Sequence, residues 1–223
     1  MIFNENADRD MAVMNVAHAI TSDLRKCLLQ HEVASFAVPG GTTPGPVFDA
    51  MSTVDIDWSR VHVMLTDERW VPEDHPRSNT ALVKERLLTG RAAAAHFFPF
   101  YREGMTAEEA APVLSAEIAS LVPVSVLLLG MGTDMHTASL FPDAPGLDAA
   151  LDRNAPHLVA MQPDSQPEAR ISLSGPLLEG AMDKHLIIFG EDKKEALQQA
   201  MKLPANKAPV SVAIKGGQVH WAA

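Results

Sequence analysis

Two patterns of apolar residues alternate along the chain. Short runs of valine, isoleucine and leucine are typical of buried strands, whereas apolar residues that recur every three or four positions are typical of amphipathic helices. The predicted strands cover residues 33–38, 61–65, 124–129, 157–161, 169–173, 185–189 and 210–214. The predicted helices cover residues 7–30, 46–51, 79–88, 106–121, 175–182 and 192–201.

The strand pattern predicts the fold class. Residues 124–129 and 185–189 are almost continuously apolar, which suits strands that are covered on both faces. Because these strands alternate with helices, we expect a Rossmann-like, doubly wound α/β fold with a mainly parallel sheet and helices on both faces. The 223 residues are 47% hydrophobic, which is enough for one domain over residues 1–223.

Charge and composition disfavour several classes of protein. The formal net charge is −10 and no basic stripe is present, so we expect no nucleic-acid partner. The first residues lack the features of a signal peptide, and no apolar stretch reaches the ~18 residues of a membrane span. We therefore expect a cytoplasmic protein with no membrane partner; the oligomeric state stays open. The one cysteine, Cys27, and nine scattered histidines predict no metal site.

Common cofactor and hydrolase signatures fail in this sequence. Met135 stands where a Gly-x-Gly-x-x-Gly dinucleotide loop needs its third glycine. The chain also has neither a Gly-x-x-x-x-Gly-Lys-Ser/Thr triphosphate loop nor a Gly-x-Ser-x-Gly elbow. We therefore predict no cofactor and no serine nucleophile.

The segment 124–142 carries the strongest candidate chemistry. Its apolar run ends in a Gly-x-Gly turn that delivers Asp134 and His136, and a helix is expected to begin at Thr137. Open α/β sheets bind ligands at the carboxyl ends of their strands, and a histidine there is a candidate acid or base. The simpler interpretation is a strand-to-helix turn in which the histidine only caps the helix.

The loop after the strand at 33–38 reads PGGTTP and is a candidate anion cradle. Gly40 and Gly41 let the backbone approach a ligand closely, and Thr42 adds a hydroxyl before a helix whose first N–H groups are free. A tight turn between a strand and a helix would have a similar sequence.

Charged residues follow two other predicted strands. Asp67, Arg69 and Asn79 come after the strand at 61–65, where Asp67 is expected to hold Arg69 in a bidentate pair that aims the guanidinium at an anion. Lys193 follows the strand at 185–189 and opens a helix, a position where a cation opposes the helix dipole unless an anion binds there. The alternative interpretation is that these charged side chains only surround the starts of two helices and are solvated.

Five sequence blocks follow one another along the chain: GGTTP at 40–44, DERWVP at 67–72 with Ser78 and Asn79, GMGTDMHTASLFP at 130–142, ARISLSGPLL at 169–178 and GEDK at 190–193. In these blocks and in their order, the chain resembles the 6-phosphogluconolactonases of the oxidative pentose phosphate pathway. Glucosamine-6-phosphate deaminases and isomerases share the fold but usually carry Asp-Glu-Tyr at the second block and Asn-Glu-Pro after the histidine. The chain therefore resembles the lactonases more than these relatives.

One residue departs from the resemblance. The family normally has glycine between the aspartate and the histidine, where this chain has Met135. If the backbone there requires a positive φ, Met135 is strained; if the loop is reshaped, Met135 sits at negative φ and packs into the cleft.

Hydrolysis of a δ-lactone would suit these residues. His136 is the expected general base, oriented by Asp134, while Arg69, held by Asp67, would bind the sugar or stabilise developing negative charge. The expected partner is a phosphorylated sugar lactone. The expected substrate-binding residues are Gly40, Gly41, Thr42, Asn79, Arg170 and Lys193.

Two other functions remain open from the sequence. An amino-sugar-phosphate isomerase or deaminase would use the same phosphate cradle with a base that moves a proton between carbons. A sugar-phosphate sensor would bind the same ligand without turnover.

Overall fold

The computed structural model describes residues 1–142 and 144–223, and within them the chain forms ten strands and eight α-helices. The strands are β1 Ile2–Glu5, β2 Ala34–Val38, β3 Val61–Leu65, β4 Asp67–Arg69, β5 His96–Phe98, β6 Val126–Leu129, β7 Leu158–Met161, β8 Arg170–Leu173, β9 Asp183–Phe189 and β10 Gln218–Ala222. The helices are α1 Arg9–Gln30, α2 Gly45–Ser52, α3 Asn79–Arg86, α4 Ala107–Glu117, α5 Leu147–Leu151, α6 Gly175–Glu179, α7 Glu191–Ala200 and α8 Val210–Ala213. Short 3₁₀ turns cover Trp58–Arg60, Gly90–Ala94 and Ile118–Leu121.

Seven strands form one parallel sheet in the order β1-β10-β9-β6-β2-β3-β5. Helices pack around it, and this confirms the predicted α/β fold. The chain proceeds outward from β2 through β3 to β5 on one side, and from β6 through β9 and β10 on the other. The direction therefore reverses between β2 and β6, and such a switch point opens a crevice beyond the carboxyl ends of the two strands.

The longest predicted helix is confirmed with a slightly later start. Asp8 caps α1 by accepting a hydrogen bond from the backbone N–H of Met11, so the helix begins at Arg9 rather than at residue 7. Ile20 and Leu24 lie one turn apart on its apolar face and are fully buried, in a helix that contacts β9 and β10. Within the described residues, no helix combines the length and the apolar character needed to cross a membrane.

The predicted strands at 157–161 and 169–173 lie outside the main sheet. They form β7 and β8 of an antiparallel three-stranded sheet whose third strand is β4. The sequence did not predict β4 as a strand, because its three charged residues show no apolar alternation. This small sheet places Arg69 directly opposite Arg170 in register.

Two predicted elements are wrong. The predicted strand at 210–214 is instead helix α8, Val210–Ala213, because Pro209, at φ −56°, begins a helical turn and the segment packs against α6 and α7. No helix begins at Thr137; instead Thr137 and Leu140 bridge a tight turn. Strands β1, β5 and β10 and helix α5 were not predicted from the sequence.

A chain of buried polar side chains joins α1, β9 and β10 away from the crevice. Asp23 Oδ2 lies 3.0 Å from His185 Nε2, and His185 Nδ1 lies 3.2 Å from His220 Nε2. His220 Nδ1 is buried without a hydrogen-bond partner among the described residues. Burial, reinforced by the neighbouring His185, lowers the pKa of His220 to about 4.

This cluster predicts acid-sensitive stability. An unfolded histidine titrates near pH 6.5, so between about pH 6.5 and 4 the unfolded chain binds a proton that folded His220 does not. The free energy of unfolding should therefore fall by about 2 to 3 kcal/mol as the pH drops through this range. Urea titrations at pH 7.5 and 4.5 should show a smaller difference for His220→Gln than for the parent. Equal differences would show that His220 does not cause the acid sensitivity.

Candidate active site

A cleft of about 270 Å³ lies where the loops after β2, β3, β6 and β9 meet, at the switch point of the parallel sheet. It collects all of the predicted site residues except Asp134, which contacts His136. The predicted residues that line the cleft are Gly40, Gly41, Thr42, Asp67, Arg69, Asn79, His136, Arg170 and Lys193. The loops converge because parallel strands all present their carboxyl ends at one edge.

His136 and Asp134 form a direct pair. Asp134 Oδ1 lies 2.5 Å from His136 Nδ1 and also accepts the backbone N–H of His136 at 3.2 Å. Burial alone would raise the pKa of Asp134, but the hydrogen bonds from His136 outweigh it and hold this pKa below its usual value. An ionised Asp134 selects the tautomer with hydrogen on Nδ1. That tautomer leaves Nε2 with a lone pair that can accept a proton.

The turn before His136 requires a glycine. A side chain at Gly132 would overlap both Asp134 Oδ1 and His136 Nδ1. The Gly132 backbone also accepts from the N–H of Met135 and donates to the carbonyl of His136, at 3.0 and 3.1 Å. The Asp134 and His136 side chains therefore pack directly against the backbone of Gly132.

Met135 has the left-handed backbone conformation that the sequence analysis gave as one of two possibilities. Its φ is +70°, and Ala138, on the other side of His136, has φ +49°. The half-buried Met135 side chain packs against the core, and its carbonyl accepts from Val210 at 3.3 Å. Met135 is therefore strained at a position that suits glycine.

The strain at Met135 can be measured with two variants. Met135→Ala and Met135→Gly remove the same side-chain contacts, but only glycine relieves the left-handed conformation. We expect the glycine variant to be more stable than the alanine variant by about 1 kcal/mol in chemical denaturation. An alanine variant at least as stable as the glycine variant would contradict strain at this position.

Asp67 pairs with Arg170 and not, as the sequence predicted, with Arg69. Because β4 and β8 are antiparallel neighbours, buried Arg170 lies beside Asp67, with Nη1 3.7 Å from Oδ2. Ser139 links the two, since its hydroxyl donates to Asp67 at 2.5 Å and lies 3.4 Å from Arg170 Nη1. Arg69 instead donates from Nη1 to the backbone carbonyl of Arg77 at 2.6 Å. The pairing of Asp67 with Arg69 is therefore wrong.

The two arginines retain unused donors. Arg69 Nε and Arg170 Nε are both buried, and neither has a hydrogen-bond partner among the described residues. Burial lowers the pKa of Arg170, and the Asp67 carboxylate opposes this shift. Buried donors without acceptors are costly in a protein, and these two belong to side chains that line the cleft.

The Gly40 loop is shaped by Asn79. A side chain at Gly40 would overlap the Asn79 amide, and Gly41 has φ +89°. The Asn79 amide nitrogen donates to the carbonyl of Asp67 at 2.8 Å. Asn79 therefore lies between the glycine loop and β4. It lines the cleft, as predicted, and it also holds these two segments in place.

Lys193 presents a cation without a countercharge. It occupies the third position of α7, and it has neither an ion pair nor a hydrogen bond to the residues the structure describes. The next residue, Lys194, points away from the cleft, with Nζ 3.7 Å from the centre of the Trp221 ring. The two neighbouring lysines therefore have different environments on one helix.

Sequence reasoning missed Glu68, which organises the site from beneath. Its carboxylate is fully buried and accepts the backbone N–H groups of Arg69, Asn79 and Thr80, each at 2.8 Å. Burial raises the pKa of Glu68, while these hydrogen bonds oppose the shift. Side chains alternate along a strand, so Asp67 and Arg69 share one face and Glu68 points to the other. This alternation could not be read from the sequence DER alone, because nothing in the local pattern predicted β4 as a strand.

Comparisons with known proteins show the family of this chain. The model of the family described as glucosamine-6-phosphate isomerases/6-phosphogluconolactonase matches residues 7–221. A 6-phosphogluconolactonase of Pseudomonas aeruginosa is 38% identical over 92% of this chain and 88% of its own length. One of Rhizobium meliloti is 39% identical over 93% of this chain and 94% of its own.

The same relationship appears among solved structures. The crystal structure of a 6-phosphogluconolactonase from Shewanella baltica superimposes with a TM-score of 0.94 at 33% identity, covering 100% of this chain and 98% of the other. A putative 6-phosphogluconolactonase from Neisseria gonorrhoeae gives a TM-score of 0.91 at 35% identity, with both chains covered fully. Sequence, fold and family match thus agree along almost the whole chain, which belongs to the glucosamine-6-phosphate isomerase/6-phosphogluconolactonase family.

Proposed function

We propose that this protein hydrolyses 6-phospho-D-glucono-1,5-lactone to 6-phosphogluconate, the lactonase step of the oxidative pentose phosphate pathway. The observation that carries the proposal is the Asp134–His136 pair, which leaves Nε2 without a partner among the described residues, in a cleft that also holds Arg69, Arg170 and Lys193. The relatives named above are described as 6-phosphogluconolactonases.

In the proposed mechanism His136 is the general base. Nε2 removes a proton from a water molecule, and the water oxygen attacks the lactone carbonyl carbon to give a tetrahedral oxyanion. The carbon–ring oxygen bond then breaks, and the proton held by His136 passes to the ring oxygen, which becomes a hydroxyl. Asp134 stabilises the imidazolium formed between these steps. The carboxylic acid product ionises in water.

The cations divide between the two ends of the substrate in this proposal. Arg69 stabilises the developing oxyanion or binds sugar hydroxyls, with a donor that is already fixed in the cleft. Arg170 and Lys193 hold the phosphate, and the Asp67 carboxylate keeps Arg170 in place. The backbone around Gly40, Gly41 and Thr42 and the amide of Asn79 complete the substrate cradle. These few cations supply the local attraction that a chain of net charge −10 otherwise lacks.

We also propose that the protein acts in the cytoplasm and that its partner is a small molecule, the phosphorylated lactone. A sugar phosphate carries about two negative charges near neutral pH and does not cross a bilayer unaided, so the enzyme must share the compartment in which its substrate forms.

A direct rate measurement tests the function. The phosphorylated lactone is generated fresh by oxidation of glucose 6-phosphate, and its decay is followed with and without the protein, corrected for spontaneous hydrolysis. We expect the protein to accelerate the decay with 6-phosphogluconate as the product. Ammonia release or isomerisation of glucosamine 6-phosphate, without lactone hydrolysis, would contradict the proposal, as would lactone binding without turnover.

A further inference from the structure

We propose that Phe141 is a positioning residue for this reaction, whose ring fixes the plane of the His136 imidazole and joins the base to the Arg170 side of the cleft. The inference rests on the lactonase function proposed above. Phe141 does not line the cleft; it lies behind the side chains that do.

The geometry places one aromatic ring against two cleft residues. The Phe141 and His136 rings are stacked, with centroids 4.2 Å apart and planes inclined by 19°. The guanidinium carbon of Arg170 lies 5.5 Å from the centre of the same Phe141 ring. Phe141 is itself only 5% exposed, so its ring has little freedom to move.

The segment that carries Phe141 is anchored along its length. The Thr137 hydroxyl donates to the carbonyl of Gly130 at 2.8 Å, and the Ser139 N–H donates to the Ser172 hydroxyl at 3.2 Å. The Ser139 hydroxyl is bound to Asp67. Phe141 therefore forms a fixed platform, connected to both the His136 loop and the Asp67–Arg170 pair.

Asp134 alone cannot define the orientation of His136. A hydrogen bond to Nδ1 restrains one edge of the ring, but the imidazole can still tilt about that contact. A flat ring stacked on one face removes this tilt, so the two contacts together set the direction of Nε2. The ring also favours the imidazolium that forms when His136 takes the proton, because an aromatic face attracts a cation.

Three variants separate positioning from packing. Phe141→Leu keeps an apolar side chain but loses the flat ring, whereas Phe141→Tyr keeps the ring. Phe100→Leu is the matched control, because Phe100 is fully buried, packs edge-on against Phe98 and lies outside the cleft. All three are compared with the parent for kcat, KM and thermal stability.

We expect Phe141→Leu to lower kcat about tenfold or more with KM changed less than about twofold, because misplacing a catalytic group by around 1 Å costs up to ~100-fold. Phe141→Tyr, which keeps the ring, should have a kcat within about threefold of that of the parent. Phe100→Leu should lose stability but keep its kcat. In a His136→Ala background, Phe141→Leu should lower kcat no further, because the ring acts through His136.

Several outcomes would overturn the inference. These are an unchanged kcat in folded Phe141→Leu, a change confined to KM, or an equal loss of kcat in the His136→Ala background. If Phe141→Leu does not fold, Phe141→Met replaces it under the same criteria. Failure of the proposed function would be a different result, since the parent protein itself would then show no lactone hydrolysis.

Discussion

Replacing His136 with alanine is expected to lower kcat for the phosphorylated lactone by at least about 100-fold, with the fold intact. A positioned general base contributes ~10²- to 10⁴-fold to rate, and the alanine variant has no group to remove the proton from water. The His136 side chain is 30% exposed and outside the main core, so its loss should have little effect on thermal stability. KM should change much less than kcat, because the base acts on water rather than holding the substrate.

Two further variants show whether the loss of kcat is specific to His136. His18→Ala is the matched control, because His18 is exposed on α1 away from the cleft, and it should behave as the parent. Asp134→Asn should lower kcat by a smaller factor than His136→Ala, since the imidazole remains but its tautomer is no longer selected by a carboxylate. Near-normal turnover in folded His136→Ala would exclude His136 as the base.

Replacing Lys193 with alanine is expected to raise KM for the phosphorylated lactone by roughly 10- to 100-fold. A charge-assisted hydrogen bond contributes about 1.5 to 3 kcal/mol, and each 1.4 kcal/mol is a factor of ten in binding. Lys193 is a cleaner test of the phosphate site than Arg170, because removing Arg170 would leave the buried Asp67 carboxylate without its cation. Thermal stability should stay near that of the parent, since Lys193 makes no ion pair with the described residues.

The neighbouring lysine provides the control for Lys193. Lys194→Ala removes the same charge from the same helix but acts next to Trp221, outside the cleft, and should leave KM unchanged. Unphosphorylated gluconolactone should be a poor substrate for the parent and should respond little to Lys193→Ala. An equal rise in KM for both lactones would show that Lys193 does not recognise the phosphate.

The elements that the sequence predicted best are those whose signals are local. The buried strands β2, β3, β6 and β9 and helices α1 and α7 follow from apolar runs and helical periodicity, and they appear within a few residues of the predicted bounds. Strand β4 and helix α8 were missed because pairing and packing override local preference there. Three charged residues form β4 only because β8 lies beside them, and the β-branched residues of α8 follow a proline.

The sequence by itself determined the α/β class of this protein, the loops that form the cleft and nine of the residues that line it. These follow because residue type and spacing reveal where buried strands end. Only the tertiary structure decided which of these side chains touch. The antiparallel pairing of β4 with β8 joins Asp67 to Arg170 instead of Arg69, and the turn at 137–140 brings Phe141 under His136. The first contact joins residues of separate segments and depends on how the strands are paired. The second depends on the conformation of a turn that no local pattern predicted.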